Sequence, residues 1–319
     1  MSDHLAGGYD LAIFDLDGVV FLIDKPIPGA ADAVERLRAD GTAIAYATNN
    51  ASRRAADVAT LLTGMGVSAA LIAEHVPAGS PVLVVGAEAL RGEVRDAGLA
   101  PVESADDAPV AVVQGYGPEV GWRILSEAAL AVRAGATWYA TNTDRTLPSP
   151  RGPLPGNGSL VAVLRTALDR EPDVVVGKPQ PALFTTAAAL AKSQRPLAIG
   201  DRLDTDIQGA VGAGMDSLLV LTGVSGPADL LAAPADRRPT FVAADLSGLF
   251  RSADQARVPA AEVDGWQVTR DGDRAVLTGS GDPVGALRLL CGVTWDGVPV
   301  ANIAAGSGEA AEVLRGWGL

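Results

Sequence analysis

Asp15 and Asp17 follow the apolar run Leu11 to Phe14 with only Leu16 between them, in the stretch DLAIFDLDGVVF. In extended backbone, residues two apart point to the same side, so both carboxylates can face one small volume, as a cation site needs. The Asp-Gly pair at 17 and 18 also signals a hairpin turn, and the two readings are compatible, since a hairpin there can form a flap over a site. A second group of carboxylates lies far along the chain in AIGDRLDTDI, where Asp201, Asp204 and Asp206 come just past another apolar run. Clustered carboxylates repel one another unless a cation relieves them, and an oxygen-only donor set favours magnesium. A helix beginning near Thr205 accounts for Asp204 as a capping residue, but not for all three.

Two further islands carry groups suited to an anion. In YATNNAS, Thr48, Asn49 and Asn50 combine a hydroxyl, amides and the N–H groups of a following helix, an oxyanion cradle that reads equally well as an ordinary helix cap. In VVVGKPQP, Lys178 stands between Gly177 and Pro179. The chain has three lysines, Lys25, Lys178 and Lys192, against 22 arginines, so its generic surface charge falls to arginine. A lysine placed between two such residues suits a phosphoryl oxygen as a compact point charge.

These islands need elements to bring them together. From residue 9 to about 222, β-rich runs (YDLAIF, TAIAYAT, PVLVVG, VAVVQG, TWYATN, DVVVG, PLAIGD, DSLLVLTG) alternate with amphipathic stretches such as GAADAVERLRAD and RRAADVATLLTGMG. Such alternation predicts βαβ units around a parallel sheet. The runs are too many for one simple unit, and residues 80–173 hold a β-α-β-α-β succession of their own. The expected fold is therefore α/β: a doubly wound, Rossmann-like parallel-sheet core from residues 1–79 and 174–252, the host sheet resuming at DVVVG, with an inserted α/β cap over 80–173. Residues 253–319 form a small C-terminal α/β appendage. It comprises the polar linker RSADQARVPAAEVDG, a hairpin around Asp271 and Gly272, a helix DPVGALRLLCGV, a strand VPVANIAA and a last amphipathic segment GEAAEVLRGWGL. Every island lies at a predicted strand end or helix start, and ligands of doubly wound sheets bind at the carboxyl ends of the strands.

Composition excludes several function classes. With 319 residues, 48 % of them hydrophobic, the chain can fill a globular interior, and its formal net charge of −13 argues against nucleic-acid binding. No apolar segment approaches the roughly 20 residues of a membrane span, and MSDHLAGGYD lacks the basic and apolar regions of a signal peptide, so a cytoplasmic protein without a membrane partner is expected. The single cysteine, Cys291, excludes an intrachain disulfide and reads as a core residue. His4 and His75 are too few for a His-rich zinc site, which leaves catalysis to carboxylates. GAGMDS precedes a strand instead of following one, and so reads as a helix stop, not a dinucleotide fingerprint.

Taken in order, DLDGVV, TNN, GKPQP and GDRLDTDI resemble the four motifs of the haloacid dehalogenase superfamily of phosphatases. The wide gap between Thr48 and Lys178 resembles the branch with a large α/β cap between the second and third motifs, which includes p-nitrophenyl phosphatase-like and phosphoglycolate phosphatase-like enzymes. GDRLDTDI, the segment LPGNGSLVAVLRTA and a C-terminal extension like part of an acetyltransferase fold are similar to actinobacterial glycerol 3-phosphate phosphatases. The resemblance implies magnesium-dependent hydrolysis of a small phosphate monoester through an aspartyl-phosphate. Asp15 is then the nucleophile and Asp17 the acid and base. Asp15, the backbone carbonyl of Asp17 and Asp201 hold Mg2+, and Asp206 is a further ligand or orients the metal's water or Lys178. Thr48, Asn49, Asn50 and Lys178 take the phosphoryl oxygens. The segment ATNTDRTLPSPRGPLPGNG is the implied specificity loop, with Asn142, Asp144 and a turn at Gly156, Asn157 and Gly158 meeting a polyol or small carboxylate; a plain cap loop is an equal reading of each. Glycerol 3-phosphate leads the small phosphorylated metabolites implied as partners, followed by phosphoglycolate, and a homo-oligomer stays open. The alternative from another class is a ligand-sensing or interaction protein on a phosphatase scaffold.

Overall fold

The computed structural model describes residues 4–22, 25–49, 61–147, 149 and 151–319, with backbone alone for 61–66. The chain divides into two compact units, Met1–Tyr46 with Ala188–Leu319, and Ala47–Ala187.

The first unit is built on a parallel sheet. The strand Leu11–Phe14 is buried at every position, as expected of a parallel strand covered on both faces. It pairs on one side with Ala43–Thr48, Leu11 to Phe14 facing Ala43 to Tyr46. On its other side lies Pro196–Gly200, with Leu11 opposite Pro196 and Phe14 opposite Ile199. Asp216–Val220 and then Phe241–Ala243 extend the sheet beyond Pro196–Gly200. Because Leu11–Phe14 and Pro196–Gly200 run side by side in the same direction, the residues leaving their carboxyl ends emerge together, and Asp15 continues the register by donating its N–H to Ile199 O at 2.9 Å. The helix Ala30–Ala39 buries Ala30, Ala33, Val34 and Leu37, the period of a helix with one apolar face. A hairpin does follow Asp17, but it does not turn at Asp17-Gly18: Phe21–Leu22 runs antiparallel to Lys25–Pro26 with Leu22 opposite Lys25, and Gly18, at φ +86° with its N–H on Phe21 O, lies in a separate tight turn ahead of it.

The C-terminal residues of this unit form the hairpin Trp266–Asp271 and Arg274–Gly279, with Ile303–Ala305 parallel to its second strand and the helices Pro283–Trp295 and Gly308–Gly316. Two expectations change here. The segment VPVANIAA is only half strand, because Val300–Asn302 make a 3₁₀ turn before Ile303–Ala305 pairs. RSADQARVPAAEVDG is not a free spacer: Ala256 and Val258 are buried, and Val258 donates to Thr240 O at 3.0 Å. The buried side chain of Arg288 holds the segment down, donating to Arg257 O at 2.7 Å and to Asp254 O. Leu203, Ile207, Leu219, Leu230 and Val242 of the host join Trp266, Leu277, Leu287, Leu290 and Leu314 of the appendage in one hydrophobic cluster. Cys291 is part of that cluster, and burial pushes its thiol up, as suits an inert core residue.

The second unit carries its own parallel sheet, in the order Val174–Val175, Thr137–Ala140, Ala111–Gln114, Pro81–Val85 and Ala100–Val102. DVVVG, expected to resume the host sheet, instead pairs Val174 with Tyr139 and Val175 with Ala140 in this one. An apolar run reports that a strand is buried, not which strand it will pair with. The amphipathic reading of RRAADVATLLTGMG also changes at its end, where Leu61–Thr63 is a strand and the helix Gly64–His75 begins; residues 53–60 lie outside the described residues. One core under this sheet gathers Leu83, Val112, Trp138, Val161 and Leu164, and another Ile72, Val84, Leu90, Val94 and Val113.

Candidate active site

At the carboxyl edge of the first unit's sheet, Asp15, Asp201 and Asp206 each offer a carboxylate oxygen within 4.8 Å of the others. All three are nearly or fully buried, Asp201 at 0 % and Asp206 at 2 % exposure. Asp201 Oδ2 accepts the Val224 N–H at 2.7 Å, while Asp206 Oδ2 accepts the N–H groups of Asp201 at 3.2 Å and Arg202 at 3.1 Å. The turn that carries Asp206, Leu203–Ile207, is a wide π-type turn leading into the helix Gln208–Gly212. Its buried Leu203 and Ile207 anchor it in the shared hydrophobic cluster, and Leu203 N donates to Ser225 Oγ at 3.0 Å. That widening returns the Asp206 side chain to the backbone just ahead of it.

The helical region therefore starts ahead of Thr205, and Asp204 is not its cap. Its carboxylate receives Arg202 Nε at 3.0 Å and Nη2 at 2.9 Å. Burial works against ionisation of Asp204, but these bonds and the charge of Arg202 outweigh it and hold the carboxyl below the usual range.

Glycines carry part of the site that the sequence reading missed. A Cβ at Gly18 or Gly223 would fall on the Asp201 carboxylate, and one at Gly200 on Asp206. The Thr222 hydroxyl donates to Gly18 O at 2.6 Å and ties the loop after Asp216–Val220 to the chain beyond Asp17. The available signal was the Thr-Gly pair ending DSLLVLTG, a strand end like the other islands. Asp17 is half-buried just ahead of the hairpin, one residue before the glycine that packs on Asp201. Buried carboxylates this close suit a small divalent cation bound by oxygen, and the donor set fits magnesium.

In the second unit, Thr48 ends its strand as a buried residue and Lys178 is 3 % exposed. The Asn49 side chain grips the backbone of Lys178 on both sides, Nδ2 donating to Lys178 O at 2.9 Å and Oδ1 accepting Lys178 N–H at 2.9 Å. Asn50 lies outside the described residues. Asn142 and Asn157 are buried, and both give their Nδ2 to backbone carbonyls, Asn142 to Asn49 O at 3.1 Å and Asn157 to Asn142 O at 2.7 Å. Gly156, Asn157 and Gly158 are not an open turn. Asn157 begins the helix Asn157–Leu168, and Gly158 N donates to Asp144 O at 2.8 Å, so close that a Cβ at either glycine would strike the 143–146 backbone. Asn142, Asp144 and Asn157 lie together, and each asparagine gives its Nδ2 to a backbone carbonyl of the protein itself.

Comparison with known proteins bears on this geometry. A haloacid dehalogenase-like hydrolase model matches residues 12–100, a HAD-hydrolase-like model residues 175–249, and a GCN5-related N-acetyltransferase like domain residues 263–319. D-glycerol 3-phosphate phosphatase of Mycobacterium tuberculosis is 40 % identical, over 99 % of this chain and 96 % of that protein. The chain belongs to the haloacid dehalogenase-like hydrolases. Among solved members of that family, a crystal structure of glycerol phosphate phosphatase from M. tuberculosis in complex with magnesium matches with a TM-score of 0.92 and 41 % identity, covering 99 % of both chains. The p-nitrophenyl phosphatase from Archaeoglobus fulgidus matches with a TM-score of 0.69 and 29 % identity, over 76 % of this chain and 98 % of its own. Among the described residues no helix is long and apolar enough to cross a membrane.

Proposed function

We propose that this haloacid dehalogenase-like hydrolase is a magnesium-dependent phosphatase of small phosphate monoesters, with glycerol 3-phosphate as its first substrate. The observation that carries the reading is the meeting of Asp15, Asp201 and Asp206 within 4.8 Å. Likeness to the mycobacterial glycerol 3-phosphate phosphatase supports the choice of ester. Asp15, the Asp17 carbonyl and Asp201 hold the cation, and Asp206, with one oxygen occupied by two backbone N–H groups, completes or orients that set. Bound magnesium supplies the positive charge that lets an anionic nucleophile approach an anionic phosphate.

Asp15 attacks phosphorus in line, the ester P–O bond breaks, and the phosphoryl group rests on the Asp15 carboxylate. Asp17 gives its proton to the leaving alkoxide. It then takes a proton from the water that cleaves the acyl phosphate, so the two half-reactions return it to its starting state. Thr48, the Asn49 backbone N–H and Lys178 take the transferring oxygens, with Asn50 in the same set. The Asn49 side chain, occupied by Lys178, steadies this group from behind. Choice of ester falls to the cap, residues 80–173, and the protein works among the phosphorylated metabolites of the cytoplasm.

Phosphate release from a panel of monoesters, with magnesium or with a chelator, tests the proposal. Glycerol 3-phosphate is expected to show the highest kcat/KM, chelation to stop the reaction and added magnesium to restore it. Preference for phosphoglycolate would overturn the substrate and leave the reaction standing, whereas no release from any ester with magnesium present would overturn both.

A further inference from the structure

We infer that Asn142 and Asn157 are positioning residues for Lys178, acting through Asn49 along an unbroken chain of side-chain amides, and not contacts for the organic part of the ester. The inference rests on the reading of Lys178 as a phosphate ligand. The chain starts at Asn157, whose Nδ2 reaches both Gln114 O at 3.3 Å and Asn142 O at 2.7 Å. Asn142 Nδ2 reaches Asn49 O at 3.1 Å, and its Oδ1 accepts the Asp144 N–H at 3.2 Å. Asn49 then closes on Lys178 with a donor and an acceptor, both at 2.9 Å.

Every link runs from a side-chain amide to the backbone of the next residue. Four segments are stitched together in this way: the ends of Ala111–Gln114 and Thr137–Ala140, the residue after Ala43–Thr48, and the loop after Val174–Val175. Gln114 O also accepts the Thr141 N–H at 2.9 Å, and buried carbonyls left without donors are costly. Asn49 imitates a neighbouring strand, holding Lys178 N–H and C=O at once and so fixing the direction in which its side chain leaves the backbone. There is little slack, because a Cβ on Gly177 would sit 2.6 Å from Asn49 Oδ1. Asn157 Nδ2 is turned to two backbone carbonyls and Asn142 Nδ2 to one, and the donors so engaged are not open to a polyol. Displacing a phosphate-gripping group by a fraction of an ångström instead weakens every ester equally.

Asn142→Ala and Asn157→Ala are each expected to lower kcat/KM about tenfold, by the same factor on glycerol 3-phosphate and on p-nitrophenyl phosphate. Inorganic phosphate, which has no organic part, should lose affinity in step, with the magnesium concentration for half-activation unchanged. A loss confined to glycerol 3-phosphate would overturn the inference and make these side chains substrate contacts. In a Lys178→Ala background, Asn142→Ala should weaken phosphate binding no further; additive weakening would also overturn it. If an alanine variant does not fold, Asn142→Asp and Asn157→Asp keep the volume, turn an oxygen toward a carbonyl, and are read by the same ratio of substrates. If the wild type hydrolyses nothing, calorimetric binding of inorganic phosphate separates the two readings. Phosphate affinity that falls in Asn142→Ala then keeps the relay while the phosphatase reading fails, and affinity that does not change, or no binding at all, overturns the relay.

Discussion

In the first unit three carboxylates crowd together, and what steadies them is backbone: N–H donors from Val224, Asp201 and Arg202, and glycines whose missing Cβ leaves room. In the second unit the roles reverse, with neutral asparagine side chains reaching out to steady backbone around Lys178. The first arrangement gathers like charges in a small volume, which suits a cation. The second satisfies its backbone internally and serves geometry. The units also differ in their cores. Within the first, one hydrophobic cluster joins the host sheet's side to the C-terminal appendage, whereas two cores of the second hold residues from 69–175 alone.

The strongest test of this contrast is Asp15→Asn, expected to lower kcat by about 10³ or more with an unchanged melting curve. Phosphate-release kinetics on rigorously purified protein check it, and near-normal turnover would remove the chemical distinction between the units. Next comes Leu287→Ala in the shared cluster, expected to cost about 2–5 kcal/mol. Because host and appendage are packed as one, urea unfolding followed by hydrogen exchange should show protection falling in Asp216–Val220 as well as in the appendage. Protection lost from the appendage alone would mean that the cluster does not couple them.

Gly223→Ala sharpens the distinction further. A Cβ there displaces the Asp201 carboxylate, so half-activation should need about 10–100-fold more magnesium. Gly177→Ala, on the amide side, should weaken inorganic phosphate and leave the magnesium titration alone. The smallest effect is expected from Asp204→Asn, which breaks a half-exposed pair with Arg202 for less than about 1 kcal/mol. Since the folded state holds the Asp204 carboxyl below its ordinary range, its contribution is complete above that range and disappears as pH falls through the lowered value. Chemical denaturation of wild type and variant should differ slightly at neutral pH and converge in acid.

Much of the site could be read before any fold was known. Asp15 and Asp201 leave adjacent parallel strands as their positions after apolar runs suggest, and the hairpin around Gly272 stands where an Asp-Gly pair puts it, whereas the one after Asp17 pairs Leu22 with Lys25, well past its Asp-Gly pair. Other residues show where such reading stops. Asp204 had the right type and place for a cap, but a nearby arginine was the better partner. Asn142 and Asn157 are donors in a loop with the look of a specificity loop, yet buried carbonyls claim them first. The linker before Val258 is polar enough to be free, and a single buried arginine from a distant helix binds it down.

The sequence by itself determined which side chains carry charge, which runs are buried and where turns fall, because these follow from residue type and local backbone preference. Tertiary structure alone decided partnership: which sheet received Val174 and Val175, whose carbonyl each amide found, and which glycines had to stay bare beside a carboxylate. The reason is range. Burial and turn propensity act over a few residues, whereas a hydrogen bond or a steric limit depends on groups that only the folded chain brings within a few ångströms.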